Sequence, residues 1–105
     1  MKMKVYNFKT IPSYCKSGII LRHDVDFDIE KAYILSQIEK NNNVTSTYFI
    51  LTTSDLYNPN SLKNSNLLRE INNNGFEIGL HFDPSIYGYM TNSELTKKFI
   101  TNVLY

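Results

Sequence analysis

Two aspartates stand two residues apart in Arg22-His23-Asp24-Val25-Asp26, and a histidine precedes a further aspartate in His81-Phe82-Asp83-Pro84-Ser85. Carboxylates two apart at a strand end can face the same side. Charges so close repel unless a proton or a cation offsets the repulsion. A divalent metal held by one carboxylate leaves the other to work as a base. A histidine facing the pair is a reasonable further ligand. The same residues also have a structural reading. Asp26 and Asp28 then cap a helix, Asp24 sits in a turn, His81 is a structural histidine, and Asp83 caps the turn before Pro84.

For this chemistry the groups must be brought to one place. Gly18 to Asp24 reads as a strand that turns polar at its end. Asp28 to Lys40 reads as a helix with Asp28 as its N-cap, Ala32, Ile34, Leu35 and Ile38 on its apolar face, and Asn41-Asn42-Asn43 closing it. Val44 to Leu51 is β-branched and aromatic, a second strand. Thr52 to Asn60 is a polar loop with a turn at Asn58-Pro59. Ser61 to Ile71 is a second helix, buried through Leu62, Leu67, Leu68 and Ile71, and ended by Asn72-Asn73-Asn74-Gly75. Phe76 to His81 is a third strand, and Ser93 to Leu104 a third helix through Leu95, Phe99 and Val103.

Alternating strands and helices imply an α/β fold with parallel strands and right-handed crossovers. All strand C-termini then lie on one side of the sheet, where such folds build their sites. Asp24, Thr52, Thr53 and His81 converge there. Strand alternation places Arg22 and Asp24 on one face, where Arg22 can orient Asp24 by a charge-assisted hydrogen bond. It turns His23 to the helical layer as a structural histidine. Tyr57, Tyr87 and Tyr89 fall in loops on the same side, for sugar stacking or for ordinary packing.

Three segments agree in order with a known family. Leu21-Arg22-His23-Asp24-Val25-Asp26, Ser46-Thr47-Tyr48-Phe49-Ile50 and Gly75-Phe76-Glu77-Ile78-Gly79-Leu80-His81 resemble the polysaccharide deacetylase (NodB-like) family of carbohydrate esterases, over residues 18–88. The resemblance implies that Asp24 is the catalytic base, that Asp26 and His81 bind a divalent metal, zinc above all, and that the substrate is an N-acetylated saccharide. The family's second motif carries a Ser/Thr and a second histidine, where this chain has Phe82 and Ser85. Asp83 is the candidate third ligand, and Arg22 and Tyr87 are candidates to orient the base or bind substrate. The family's fold resembles a distorted barrel of about seven strands. The chain is thus expected to be a single N-terminal portion, residues 1–105, of such a domain: a partial (β/α) barrel of about three βα units. The family's later motifs, including its general acid histidine, have no counterpart.

Composition narrows the alternatives. The 105 residues carry a formal charge of +1, with no basic run, so no nucleic-acid partner is expected. No segment approaches the ~20 apolar residues of a membrane span. No apolar run follows Lys2 and Lys4, so a secretory signal is not expected. Cys15 is the single cysteine, consistent with a reducing, cytoplasmic setting. Beside the hydrolase stands a second expectation: a truncated, non-catalytic deacetylase-like fragment that self-associates as a homo-oligomer or binds a complementary half. A phosphoacceptor receiver-like domain is disfavoured, because His81 occupies the strand end where its aspartate belongs.

Overall fold

The computed structural model describes residues 3–87 and Lys97. The expected helix over residues 93–104 lies outside the described residues apart from Lys97, as does Tyr89. Over residues 3–87 five strands and two helices follow in the order β1 (Val5–Tyr6), β2 (Ile19–Ile20), β3 (Arg22–Val25), α1 (Ile29–Asn41), β4 (Thr47–Leu51), α2 (Leu62–Asn73) and β5 (Glu77–His81), with a 3-10 turn at Pro84–Tyr87. Strands β3, β4 and β5 form one parallel sheet in that order. Strands β1 and β2 form a separate parallel pair. The chain is a small mixed α/β domain. Among the described residues no helix is long and apolar enough to cross a membrane.

Local signals set the helix limits. The Asp28 carboxylate accepts the Glu30 N–H at 2.8 Å, so this N-cap acts as expected, and the Ser61 hydroxyl, accepting the Asn64 N–H at 3.2 Å, caps the second helix just before its first residue. Each asparagine triplet ends a helix, with a left-handed residue nearby: Asn43 at φ 58° after α1 and Gly75 at φ 96° after α2.

Register places Arg22 beside Thr47 and Glu77, and Asp24 beside Phe49 and Gly79. One face of the sheet turns His23, Val25, Tyr48, Ile50 and Ile78 to the helices. The core there is Val25, Ile29, Ala32, Tyr48, Ile50, Ile71 and Phe76, with Tyr33, Tyr57, Leu67 and Leu68 packed around it. The opposite face carries Arg22, Asp24, Thr47, Phe49, Glu77, Gly79 and His81.

Four expectations are corrected. The first strand is not continuous from Gly18 to Asp24: it breaks at Leu21, and its two parts join different sheets. The second strand begins at Thr47 rather than Val44. The Val44 N–H still bonds the Glu39 carbonyl at the helix end, and the Thr45 hydroxyl donates to the Gly75 carbonyl. Helix α1 buries Ile29, Ala32, Ser36 and Glu39, leaving Ile34, Leu35 and Ile38 exposed. The polar sheet residues beneath Glu39 decide that rotation. In α2, Leu62 at the first turn is likewise exposed, while Leu67, Leu68 and Ile71 pack inward.

Candidate active site

Strands β3 and β5 end on the same side of the sheet, and this brings Asp26 to His81. Asp26 Oδ1 lies 3.5 Å from His81 Nδ1. Nδ1 is buried without a hydrogen-bond partner, although the imidazole as a whole is a quarter exposed. The contact is therefore close but not a well-formed hydrogen bond. Two donors on one tetrahedral zinc, at bonds of ~2.0–2.2 Å, stand about 3.4 Å apart. The spacing and the orphaned nitrogen fit two donors of a shared cation.

Arg22 and Asp24 meet on the open face. Arg22 donates to Asp24 Oδ1 from Nη2 at 2.7 Å and from Nε at 3.3 Å. The guanidinium lies over the Phe49 ring, 4.1 Å from its centroid. Phe8 meets the same ring edge-on at 6.0 Å. Beneath the ring is Gly79, where a Cβ would stand 2.7 Å from Phe49 Cε1. A glycine in mid-strand thus gives Phe49 its place, and Phe49 gives Arg22 a platform on which to hold Asp24.

Asp83 does not join Asp26 and His81. Its Oδ1 accepts the Ser85 N–H at 3.0 Å and the Ser85 hydroxyl at 2.6 Å. These bonds hold its pKa below the usual carboxylate value, and the nearby His81 lowers it further. This is the turn-capping arrangement. Among the described residues no three His, Cys, Asp or Glu side chains gather to hold a metal. Tyr87 closes the 3-10 turn that follows.

Two features lay beyond sequence reasoning. The Tyr57 hydroxyl donates to the Val25 carbonyl at 2.5 Å and accepts the Leu51 N–H at 2.8 Å. This loop tyrosine therefore ties together the ends of β3 and β4. Burial raises its pKa, the Leu51 N–H opposes the shift, and the Asp26 charge adds to it. The second feature is Glu39, buried under the sheet. Its carboxylate accepts the Tyr48 hydroxyl and the Ser46 hydroxyl (3.1 Å), and lies 3.1 Å from His23 Nε2. His23 is turned to the helices, as strand alternation implies, and packs 4.9 Å from the Tyr48 ring. For Glu39 the available signal was the serine-tyrosine pair at alternate positions, Ser46 and Tyr48.

Comparisons with protein-family models, with curated proteins and with solved structures find no match.

Proposed function

We propose that the chain is the N-terminal part of a metal-dependent, deacetylase-like hydrolase domain acting on an N-acetylated saccharide, in a reducing compartment such as the cytoplasm. In this reading β3-α1, β4-α2 and β5 with its following segment are the first units of a partial (β/α) barrel, and the open face of the sheet is its interior. The observation that carries the reading is the Asp26–His81 pair, with a buried Nδ1 that has no hydrogen-bond partner.

Asp26 and His81 would hold the divalent cation, zinc by the chemistry of the donors. Bound there, it would polarise the acetyl carbonyl and acidify a water. Asp24 takes the proton from the attacking water. Arg22 fixes Asp24 in direction, through two N–H groups on one oxygen. Asp83 is the candidate for a third donor, exchanging its Ser85 bonds for the ion, and Tyr87 stands in the turn beyond it as a candidate for substrate contact. His23 is held by Glu39 on the far face of the sheet and does not serve as the general acid.

The second reading is the non-catalytic fragment. It is favoured by Ser85, which stands where the family pattern has a histidine and is bound to Asp83 instead. Zinc titration of the purified chain separates the two. One-to-one binding that His81→Ala abolishes is the expected result. Absence of specific binding would refute the metal site and leave the fragment reading in its place.

A further inference from the structure

Among the described residues strand β3 lies at the edge of its sheet, with β4 on one side only. Beside that edge runs a groove of about 440 Å³, lined by Arg22, Asp24, Phe27, Lys31, Ala32 and Leu35. Among its charged side chains Arg22, Asp24, Asp26, Asp28 and Lys31 stand Phe27, 74 % exposed, and Leu35, 37 % exposed; Ile38, one turn beyond Leu35, is 54 % exposed. We propose that this edge pairs with the same edge of a second copy of the chain, antiparallel, to make a symmetric dimer with a continuous six-stranded sheet.

The register follows from the backbone. The Thr47 N–H donates to the Leu21 carbonyl at 3.1 Å. In a parallel ladder the direction then alternates, so Leu21, His23 and Val25 turn their polar groups to β4. Arg22 and Asp24 turn theirs to the free edge. In an antiparallel pair, residues that present both groups outward sit directly opposite one another. Pairing Arg22 with Arg22, or Asp24 with Asp24, sets like charges across the seam, which is destabilising. Pairing Arg22 of each copy with Asp24 of the other sets opposite charges across it twice. The two-fold axis then passes beside His23.

The helical layer agrees with this register. Helix α1 lies over β3 and β4: Ile29 and Ala32 pack with Val25 and Tyr48, and Glu39 reaches both His23 and Tyr48. With strands ~4.8 Å apart, two such helices related by the axis run about 10 Å apart, at the outer end of helix-packing distances. Leu35, Ile38 and Phe27 then fill the space between them. This accounts for the apolar stripe on α1 that the monomer leaves uncovered. It also joins the two open faces into one surface with Arg22 and Asp24 from both copies at its centre.

Sedimentation equilibrium of the full chain over a wide concentration range tests the dimer. A reversible monomer–dimer equilibrium is expected. Leu35→Asp, with circular dichroism as the control for folding, is expected to give monomer throughout. Arg22→Asp places like charges opposite one another twice and is expected to weaken association roughly tenfold. The double reversal R22D with D24R is expected to restore it. A chain that is monomeric at every concentration overturns the proposal. So does a dimer indifferent to Leu35→Asp, or a double reversal that recovers nothing. Asp26 and His81 are untouched in these variants, so zinc titration on the same samples reports on the metal site separately.

Discussion

Tyr48→Phe removes one hydroxyl from the most enclosed part of the molecule. Tyr48 is fully buried, and its ring packs against His23 and edge-on against Phe76 at 5.8 Å. The substitution keeps both ring contacts and creates almost no cavity. It deletes only the donor to Glu39. Glu39 keeps Ser46 and His23, so the carboxylate is left under-satisfied rather than bare. A hydrogen bond to a charged group contributes about 1.5–3 kcal/mol, so a loss near 2 kcal/mol is expected. For a domain of this size each kcal/mol shifts the midpoint by about 4–8 °C, so Tm falls by about 8–16 °C. Thermal and urea unfolding followed by circular dichroism measure it. Ser46→Ala should couple to Tyr48→Phe in a double-mutant cycle, because both donate to one oxygen. A loss under ~0.5 kcal/mol with no coupling would show that the Glu39 cluster does not hold α1 to the sheet.

The same cluster predicts sensitivity to alkali. Burial first, and then the hydrogen bond and charge of Glu39, push the Tyr48 pKa far up, while the Ser46 contact opposes this; Tyr57 is also raised, by burial first. A folded pKa raised above the unfolded value of ~10 means the unfolded chain loses its protons first. The contribution is therefore complete below about pH 10 and declines as pH rises beyond it, by about 1.4 kcal/mol per pH unit for each such tyrosine. Tyrosinate absorbance during a base titration should show Tyr48 ionising only with unfolding and Tyr57 ionising above the ordinary tyrosine range, and smooth titration of every tyrosine in the folded protein would contradict it. Gly79→Ala puts a methyl 2.7 Å from Phe49 Cε1 and 2.8 Å from Cδ1, so the ring must move. Overpacking costs about 1–3 kcal/mol, here toward the lower end because the ring lies on the open face. The Arg22 Nε–H resonance should shift as the guanidinium loses its platform, and an unchanged resonance would refute the stack.

The local elements were legible because their signals are local. Asp28 and Ser61 mark helix starts by side-chain chemistry, and the asparagine runs mark the ends. The meeting of Asp26 and His81 at one side of the sheet followed from topology alone, since parallel strands end together. What escaped was decided by contacts distant in sequence. Strands β1 and β2 have two residues each, too few to show a period, and they exist only by pairing with each other. Periodicity placed Ile34, Leu35 and Ile38 on the buried face of α1. Instead, Ser46, Tyr48 and His23 offer polar groups to the helix, and Glu39 turns inward to meet them, carrying its neighbours outward. Gly79 read as part of a motif, with no hint that its missing side chain seats Phe49.

Asn7 carries a consequence for how the chain comes together. It is almost fully buried. Its amide donates to the Thr45 hydroxyl at 2.9 Å and to the Gly75 carbonyl at 3.4 Å, across 38 and 68 positions. Its Oδ1 accepts the Lys9 and Thr10 N–H groups, so the turn behind it depends on the same side chain. Contacts this distant pay their loop-closure entropy only once the intervening chain is organised. The segment around Asn7 is thus among the last to dock, waiting for Gly75 while α1, β4 and α2 settle. Until then Phe49 lacks the Phe8 ring that later meets its edge, and the nascent domain exposes more of its apolar surface than the finished one.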